Sequence, residues 1–482
     1  MRTRLLSCIG AAMCTISILS AQQPTDVEIL DAGPLSFVTP GTYAIIPTIR
    51  NNNIDYYIDH INANWQLDGG IVHSCAIDAF FLGGPYLYPT FKSRITLSDS
   101  IDLFTTGTYS LKIWTDSPGG FPDPDPSNDT ISITIHVCDS LPAKNTLMWY
   151  GTHVDCIPCG GYGEDMIDSI AARHPDDAFL IRVHDEAGDP YVCDESTEIN
   201  NIYIWPYSGH PSFVFDQFAF PCLFGMVPFE LFYEQWTVVD WRKDYRFPVN
   251  AVIRDAWIDT IAMQIHAKVD AQYFADYSGS LNMNLVITED SLYGYQAGYP
   301  GGNMYHTHMM RKMVGGVEGM SGIAPEEGHA GETYTWDITE PLNPDWNAGQ
   351  IWLTAFVMHN DNDPLKREIY NSTRMRLLVF EEPVEDTTVQ VSASALQPNT
   401  LHMYPNPVSI GQPIYLSIGD ISSGDLQIHM EDITGKMIPI EIQNIFNNHN
   451  VVIRADVPTE GMYMIYLETA SGTQTAKIIF LQ

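Results

Sequence analysis

The chain has 482 residues, a formal net charge of −36 and 45% hydrophobic residues. This hydrophobic content is enough to form folded cores, and the length predicts several domains. An acidic surface of this strength repels phosphate backbones, so we do not expect nucleic-acid binding, whereas divalent cations and basic partners are compatible with it.

The N-terminus has the pattern of a cleaved secretory signal. Arg2 and Arg4 form a basic start, the stretch 5–19 is apolar, and small residues offer a cleavage point, so the signal peptide is expected to span residues 1–21. No later segment reaches 18 consecutive apolar residues, so we predict no transmembrane span in the mature chain.

Cysteines are expected to pair, because disulfides persist in an oxidising exterior. Cys8 and Cys14 would leave with the signal peptide. The grouping of the others predicts three bridges, with an alternative role for one member of the last pair in resolving a mixed disulfide. The predicted bridges are Cys75–Cys138, Cys156–Cys159 and Cys193–Cys222.

Residues 22–140 predict an immunoglobulin-like (Ig-like) β-sandwich. Strand-like runs such as 42–49 and 109–114 alternate with turn clusters, and no helical periodicity intervenes. The acidic stretch 122–130 resembles a turn of bacterial Ig-like adhesion modules.

That acidic stretch raises the question of calcium. Asp123, Asp125 and Asp129, with Asp116 nearby, supply the oxygen ligands that Ca²⁺ prefers. A solvated turn accounts for the same pattern, and the sequence leaves both interpretations open.

Residues 145–247 predict an α/β domain. A strand at 145–150, a helix at 164–172 and a buried strand at 178–184 form a βαβ unit, which implies a partly parallel sheet. Between the first strand and the helix lies Cys156-Ile157-Pro158-Cys159, where a helix N-terminus favours the thiolate.

A proline adds to this motif. Pro211, in Gly209-His210-Pro211, stands just before a predicted strand, and we expect its peptide bond to be cis. The combination resembles the thioredoxin-like fold. The resemblance implies that Cys156 attacks a disulfide, Cys159 resolves it and Pro211 shapes the substrate groove.

The chain departs from the thioredoxin pattern around the CxxC. Asp155 replaces the usual tryptophan, and its charge opposes ionisation of Cys156. The preceding strand has no acidic residue, and the glycine-rich run 160–163 weakens the first helical turn. His153 is a candidate proton acceptor. The alternative is that it is a loop residue with no role in the chemistry.

Residues 248–380 predict a second β-sandwich, with strands such as 282–288 and 351–357. His306 and His308 are expected on one face of a strand, a spacing that chelates Zn²⁺ or Cu²⁺. No third ligand is evident, and packing along the sheet is the alternative. The polar stretch 381–400 predicts a linker.

The tail, residues 401–482, again has β alternation. Tyr404-Pro405-Asn406-Pro407, Gly461-Met462-Tyr463 and a closing strand at 474–480, which contains Lys477, occur in a characteristic order. They resemble the type A C-terminal sorting domain of the Bacteroidota type IX secretion pathway. The resemblance implies that the secretion machinery is a partner and that the protein is released or held at the outer membrane surface.

The middle of the chain has a second resemblance. The segments 149–152, 209–211, 287–291 and 305–311 resemble the outer membrane protein 28 family of Bacteroidota. The resemblance implies a surface-exposed protein with a thioredoxin-like domain and a β-sandwich.

Two functional hypotheses follow. In the favoured one, the protein binds a protein or glycan partner at the cell surface and uses the thioredoxin-like fold as a scaffold. In the other, Cys156 and Cys159 make it a thiol-disulfide oxidoreductase. The predicted architecture is multidomain and mostly β, with one α/β domain, and no cofactor is expected.

Overall fold

A computed structural model describes residues 25–80, 84–116, 118–220 and 234–380, and in the tail 402–404, 408–410, 414–417, 427–432, 436–446, 450–469 and 472–481. The chain forms two compact units, Met1–Glu382 and Pro383–Gln482. The architecture is multidomain and mostly β, as the sequence predicts. The predicted signal peptide and linker lie outside the described residues.

The N-terminal part is a β-sandwich. A three-stranded sheet has the order β1-β4-β7, a five-stranded sheet has the order β2-β10-β9-β5-β6, and β3 pairs with β8. Side chains alternate as a half-buried strand requires: Leu111 and Ile113 are buried, whereas Lys112 between them is exposed. The strands are β1 Val27–Asp31, β2 Phe37–Val38, β3 Gly41–Tyr43, β4 Thr48–Asn51, β5 Ile61–Leu67, β6 Val72–Ile77, β7 Lys92–Arg94, β8 Ile101–Leu103, β9 Gly107–Asp116 and β10 Thr130–Val137.

The predicted Cys75–Cys138 bridge needs correction, because both cysteines are free. Cys75 lies in β6 and Cys138 follows β10, with β9 and β5 between those strands. Neighbouring strands are about 4.8 Å apart, whereas the Cα atoms of a disulfide lie within about 7 Å. The two thiols are therefore separated by more than a bridge can span.

The next part has the predicted strand–helix–strand order. Strand β11 is buried along its whole length, pairs in parallel with β12 and pairs antiparallel with β13. The helix expected at 164–172 is α1. The elements are β11 Thr146–Thr152, α1 Glu164–Arg173, β12 Ala178–His184, α2 Asp194–Ile199, β13 Ser212–Phe215 and α3 Trp236–Asp244.

The following β-rich part continues the same sheet. Strand β12 pairs in parallel with β20, which gives the order β13-β11-β12-β20-β17-β24-β25. A second sheet has the order β23-β15-β14-β26. The strands are β14 Val249–Asp259, β15 Gln264–Tyr273, β16 Tyr277–Ser278, β17 Leu281–Glu289, β18 Leu292–Tyr295, β19 Asn303–His306, β20 Met309–Met313, β21 Met320–Ser321, β22 Glu327–Gly328, β23 Thr333–Pro341, β24 Ile351–His359, β25 Ile369–Arg376 and β26 Leu378–Phe380.

The shared sheet also shares a core. Buried Trp149 of β11 meets Phe356 of β24 edge to face, with ring centroids 6.1 Å apart. Leu147, Val286 and Met358 belong to the same apolar cluster. The expected boundary at 247/248 is therefore crossed by hydrogen bonds and by packing.

A buried ionic cluster reinforces this junction. The Asp216 carboxylate lies 2.8 Å from Lys144 Nζ and 2.7 Å from Arg242 Nε, and Arg242 Nη2 lies 2.6 Å from Glu368 Oε1. Main-chain hydrogen bonds join Asp216 to Leu147 and Ile369. Burial lowers the pKa of Lys144 to about 8, although the negative charge of Asp216 acts to raise it.

The tail forms a separate β-sandwich. One sheet has the order β27-β29-β33-β32 and the other β28-β35-β34-β30-β31, and the predicted closing strand, β35, pairs antiparallel with β34. Pro405, Asn406 and Pro407 lie outside the described residues. The strands are β27 His402–Tyr404, β28 Val408–Ser409, β29 Ile414–Ser417, β30 Gln427–Asp432, β31 Met437–Ile438, β32 Ile440–Phe446, β33 Asn450–Ala455, β34 Gly461–Thr469 and β35 Gly472–Leu481.

No helix in the described parts of the chain is long and apolar enough to cross a bilayer.

Candidate functional site

Cys156 and Cys159 lie between β11 and α1 and form a disulfide. The main-chain N–H of Cys159 donates to Cys156 Sγ at 3.2 Å, the kind of contact that a helix start provides. Both residues are buried, with 5% of Cys156 and 1% of Cys159 exposed to solvent. The bridge is therefore largely shielded from solvent.

Pro211 lies close to the same helix start. The His210–Pro211 peptide bond is cis and leads directly into β13, which pairs with β11. A Cβ atom built on Gly163 would lie 3.4 Å from Pro211 Cβ and 2.3 Å from the Tyr150 hydroxyl. The structure thus brings the proline to the turn that begins with Cys159.

The loop that contains the bridge packs against the turn between β18 and β19, residues 296–302, which we call the capping turn. Gln296 is 1% exposed, and its Nε2 donates to the carbonyl oxygens of His153 at 3.2 Å and Cys156 at 3.1 Å. The N–H of Ala297 donates to the carbonyl oxygen of Val154 at 2.8 Å. The chain around the CxxC is therefore tied to a hairpin about 140 residues away, which no sequence motif indicated.

Two glycines permit this close contact. A Cβ atom on Gly160 would lie 2.2 Å from the carbonyl oxygen of Ala297, and one on Gly298 would lie 2.0 Å from that of Ile157. Gly298 also has a φ of +79°, which disfavours other residues. In contrast, a Cβ atom on Gly161 would meet nothing within 4 Å. Part of the glycine-rich run thus provides space for the capping turn.

Carboxylates fix the loop that precedes Cys156. Asp189 accepts hydrogen bonds from the N–H of Val154 at 2.8 Å and from His184 Nδ1 at 2.7 Å. Nδ1 of His153, the candidate proton acceptor, lies 2.6 Å from the carboxylate oxygen Oε2 of Glu186. These contacts give His153 and His184 acidic neighbours.

His210, whose side chain is buried, is an uncharged neighbour of this loop. Its Nε2 lies 2.9 Å from Asn200 Oδ1, and its ring centroid lies 5.4 Å from that of His153. Burial, helped by the positive charges that His153 and His184 carry when protonated, lowers the pKa of His210 to about 3. The residue before Pro211 is therefore neutral at physiological pH.

The expected placement of His306 and His308 on one strand face is wrong. β19 ends at His306, and His308 has a φ of +57° in the turn before β20, so strand alternation does not connect them. His306 is buried against the Tyr191 ring, whereas His308 Nδ1 lies 3.0 Å from Asp290 Oδ1. The two imidazoles have different partners.

The remaining cysteine pair is only partly described. Cys193 is a free, half-buried thiol at the start of α2, and burial raises its pKa. Cys222 lies outside the described residues. The predicted Cys193–Cys222 bridge therefore needs correction, because Cys193 is not disulfide-bonded in the structure.

The comparisons with known proteins identify the tail. Residues 402–481 match the family described as the secretion system C-terminal sorting domain. The protein is therefore exported by type IX secretion to the cell surface or outer membrane, and the sorting domain implies interaction with the secretion machinery. No curated protein matches the chain.

Solved structures share only distant similarity with the chain. HBP35 of Porphyromonas gingivalis is 14% identical, with 70% of this chain and 98% of that chain covered and a TM-score of 0.40. A protein of Agrobacterium tumefaciens is 11% identical, with coverages of 49% and 96% and a TM-score of 0.32. Scores this low do not support a functional conclusion.

Proposed function

We propose that this exported surface protein binds a protein or glycan partner and uses a thioredoxin-like scaffold whose Cys156–Cys159 bridge is structural. The observation that carries the proposal is the burial of both bridge cysteines in a loop that packs against the capping turn. Thiol-disulfide exchange requires a thiolate to approach a sulfur atom, so its rate depends on access. A bridge whose cysteines are only 5% and 1% exposed is poorly accessible to a protein substrate.

The surface of the same hairpin is suited to binding. Tyr293 and Tyr305 are paired across β18 and β19, are each 66% exposed, and have ring centroids 5.1 Å apart. Tyr295 is also exposed, and Tyr299 and Ile157 are exposed at the capping turn and the CxxC. Large exposed apolar and aromatic groups of this kind are enriched at interaction sites. We call Tyr293, Tyr295 and Tyr305 the tyrosine face.

Two resemblances support the scaffold. The strand–CxxC–helix order and Pro211 resemble the thioredoxin-like fold. The segments 149–152, 209–211, 287–291 and 305–311 resemble the outer membrane protein 28 family. In the proposed arrangement, the hairpin that contains the tyrosine face occupies the side of the scaffold where a thioredoxin would admit its substrate.

The tyrosine face is tested by replacing Tyr293 and Tyr305 together with serine. Binding of the purified mature protein to a glycan array and to immobilised fibronectin and mucin is measured by fluorescence. We expect at least one probe to bind and the double variant to bind about tenfold more weakly, because truncating central aromatic residues removes most of a hot spot.

A matched control replaces Tyr57 and Tyr88, exposed tyrosines of the N-terminal β-sandwich, and should change binding less than about twofold. Equal losses in both double variants would contradict a specific tyrosine face. Absence of binding to every probe, together with dithiol oxidation that requires Cys156, would contradict the proposed function.

The second candidate function is thiol-disulfide exchange, and the hydrogen bond from the Cys159 N–H to Cys156 Sγ favours it. In that reaction a substrate thiolate attacks one sulfur of the bridge, and a mixed disulfide forms as the other sulfur leaves as a thiolate. The second substrate thiolate then attacks the substrate sulfur of the mixed disulfide, a substrate S–S bond forms, and the cysteine leaves as a thiolate. Two electrons pass to the bridge, and the substrate dithiol becomes a disulfide.

A further inference from the structure

Three aspartates of the N-terminal β-sandwich, Asp26, Asp123 and Asp129, lie close enough together to influence one another's charge. Asp26 precedes β1, and Asp123 and Asp129 belong to the turn before β10. The side chains of Asp123 and Asp129 lie within hydrogen-bonding distance of each other, and both sense the charge of Asp26.

The cluster contains buried oxygen atoms without partners. Asp129 is 7% exposed, and its Oδ1 is buried and forms no hydrogen bond. The side-chain oxygen of Asn128 is likewise buried without a hydrogen bond, while Asn128 Nδ2 donates to Asp26 Oδ1 at 3.2 Å. A buried polar atom without a partner is costly, so these oxygens call for a ligand.

The charge balance points to a cation or a proton. The carboxylates of Asp123 and Asp129 are adjacent. When both are charged they repel each other, unless a positive ion lies between them.

We propose that this cluster binds Ca²⁺ through the carboxylates of Asp123 and Asp129 and the side-chain oxygen of Asn128. Calcium accepts amide, main-chain and water oxygens beside carboxylates, whereas zinc prefers nitrogen and sulfur. In the described part of the chain, no three His, Cys, Asp or Glu side chains are arranged as a metal-binding group. The proposed site is consistent with that finding, because only two of its ligands, Asp123 and Asp129, are of these residue types and the third is the amide oxygen of Asn128.

Asp125, which the sequence placed among the calcium ligands, has a different role. Its Oδ1 accepts hydrogen bonds from the N–H of Ser127 at 3.2 Å and from the Ser127 hydroxyl at 2.5 Å. Asp125 is also exposed to solvent, unlike the half-buried Asp123 and the buried Asp129, and we leave it out of the proposed ligand set.

Two measurements test the site. The full mature chain is titrated with CaCl₂ in a calorimeter. Its thermal unfolding is then followed in 10 mM CaCl₂, 10 mM MgCl₂ or EDTA, at pH 7.5 and constant ionic strength. We expect Ca²⁺ to bind with a Kd of about 10⁻⁴–10⁻³ M, the range of extracellular calcium modules, and to raise the melting temperature more than Mg²⁺ does. Equal melting temperatures in all three solutions would overturn the proposal and leave a shared proton as the account of the cluster.

Variants separate the site from general charge effects. Asp129→Asn and Asp123→Asn should each abolish the Ca²⁺ response, and Asp129→Asn should melt above the wild type in EDTA because it removes the repulsion. Asp31→Asn is the matched control, since Asp31 is another carboxylate of this β-sandwich with a buried, unpartnered oxygen. It should keep the response; persistence of the response in both Asp129→Asn and Asp123→Asn would overturn the site.

Discussion

Replacing Asp216 with asparagine is expected to lower the free energy of unfolding of the first unit by about 3–5 kcal/mol. The carboxylate lies within 2.8 Å of both Lys144 Nζ and Arg242 Nε, and these side chains are buried. Without Asp216, two buried cations would have Glu368 as their remaining anion in the cluster. Breaking one partner of a buried ionic cluster is costly because it leaves charge uncompensated.

Urea denaturation followed by tryptophan fluorescence measures this loss. Trp352 is the last tryptophan of the sequence, so the fluorescence reports on the first unit and not on the tail. Lys268→Met, which removes an exposed ion pair with Asp337, is the control and should cost less than about 1 kcal/mol. Similar small losses in both variants would contradict a stabilising role for the cluster.

Replacing Gly160 with alanine is expected to accelerate chemical reduction of the Cys156–Cys159 bridge by about tenfold or more. The added Cβ would lie 2.2 Å from the carbonyl oxygen of Ala297 and 2.7 Å from the main-chain nitrogen of Tyr299. Both are backbone atoms, so the capping turn must move, and overpacking of this kind also costs about 1–3 kcal/mol. A displaced turn gives a reductant access to the sulfurs.

The rate is measured by quenching a phosphine reduction at intervals and trapping the released thiols. Gly161→Ala is the matched control within the same glycine run, because its Cβ meets nothing within 4 Å. The control should be reduced at the wild-type rate. If Gly160→Ala is also reduced at that rate, then the capping turn does not limit access to the bridge.

The sequence predicted the features that arise from local patterns. Alternation identified strands such as β9 and β35, and the apolar spacing after the CxxC placed α1 within one residue of its observed end. The CxxC position and the proline before β13 were also readable, because each depends on the order of neighbouring elements.

The features that the sequence did not predict depend on contacts between distant segments. Gln296 had no recognisable motif, although it joins the capping turn to the CxxC. The sequence marks Gly160 as a weak helix former. In the structure, its lack of a side chain allows the carbonyl oxygen of Ala297 to pack closely against it. The continuation of the sheet from β12 to β20 likewise depends on long-range pairing.

The histidine pair shows how a spacing argument fails. His306 and His308 are two residues apart, and strand alternation would place them on one face. The chain instead turns at His308, where a positive φ allows its N–H to donate to Asp290 Oδ1 at 2.5 Å. A turn between two short strands therefore replaced the single strand that the alternation suggested.

The most direct test of the structural role of the bridge is the reduction potential of the Cys156–Cys159 pair. The purified mature protein is equilibrated with glutathione buffers, its thiols are trapped, and Cys156→Ser serves as the control. The burial of both cysteines predicts a bridge that stays oxidised at potentials down to about −300 mV, as structural disulfides do. A potential between about −120 and −270 mV that disappears in the control would contradict the structural role and favour thiol-disulfide exchange.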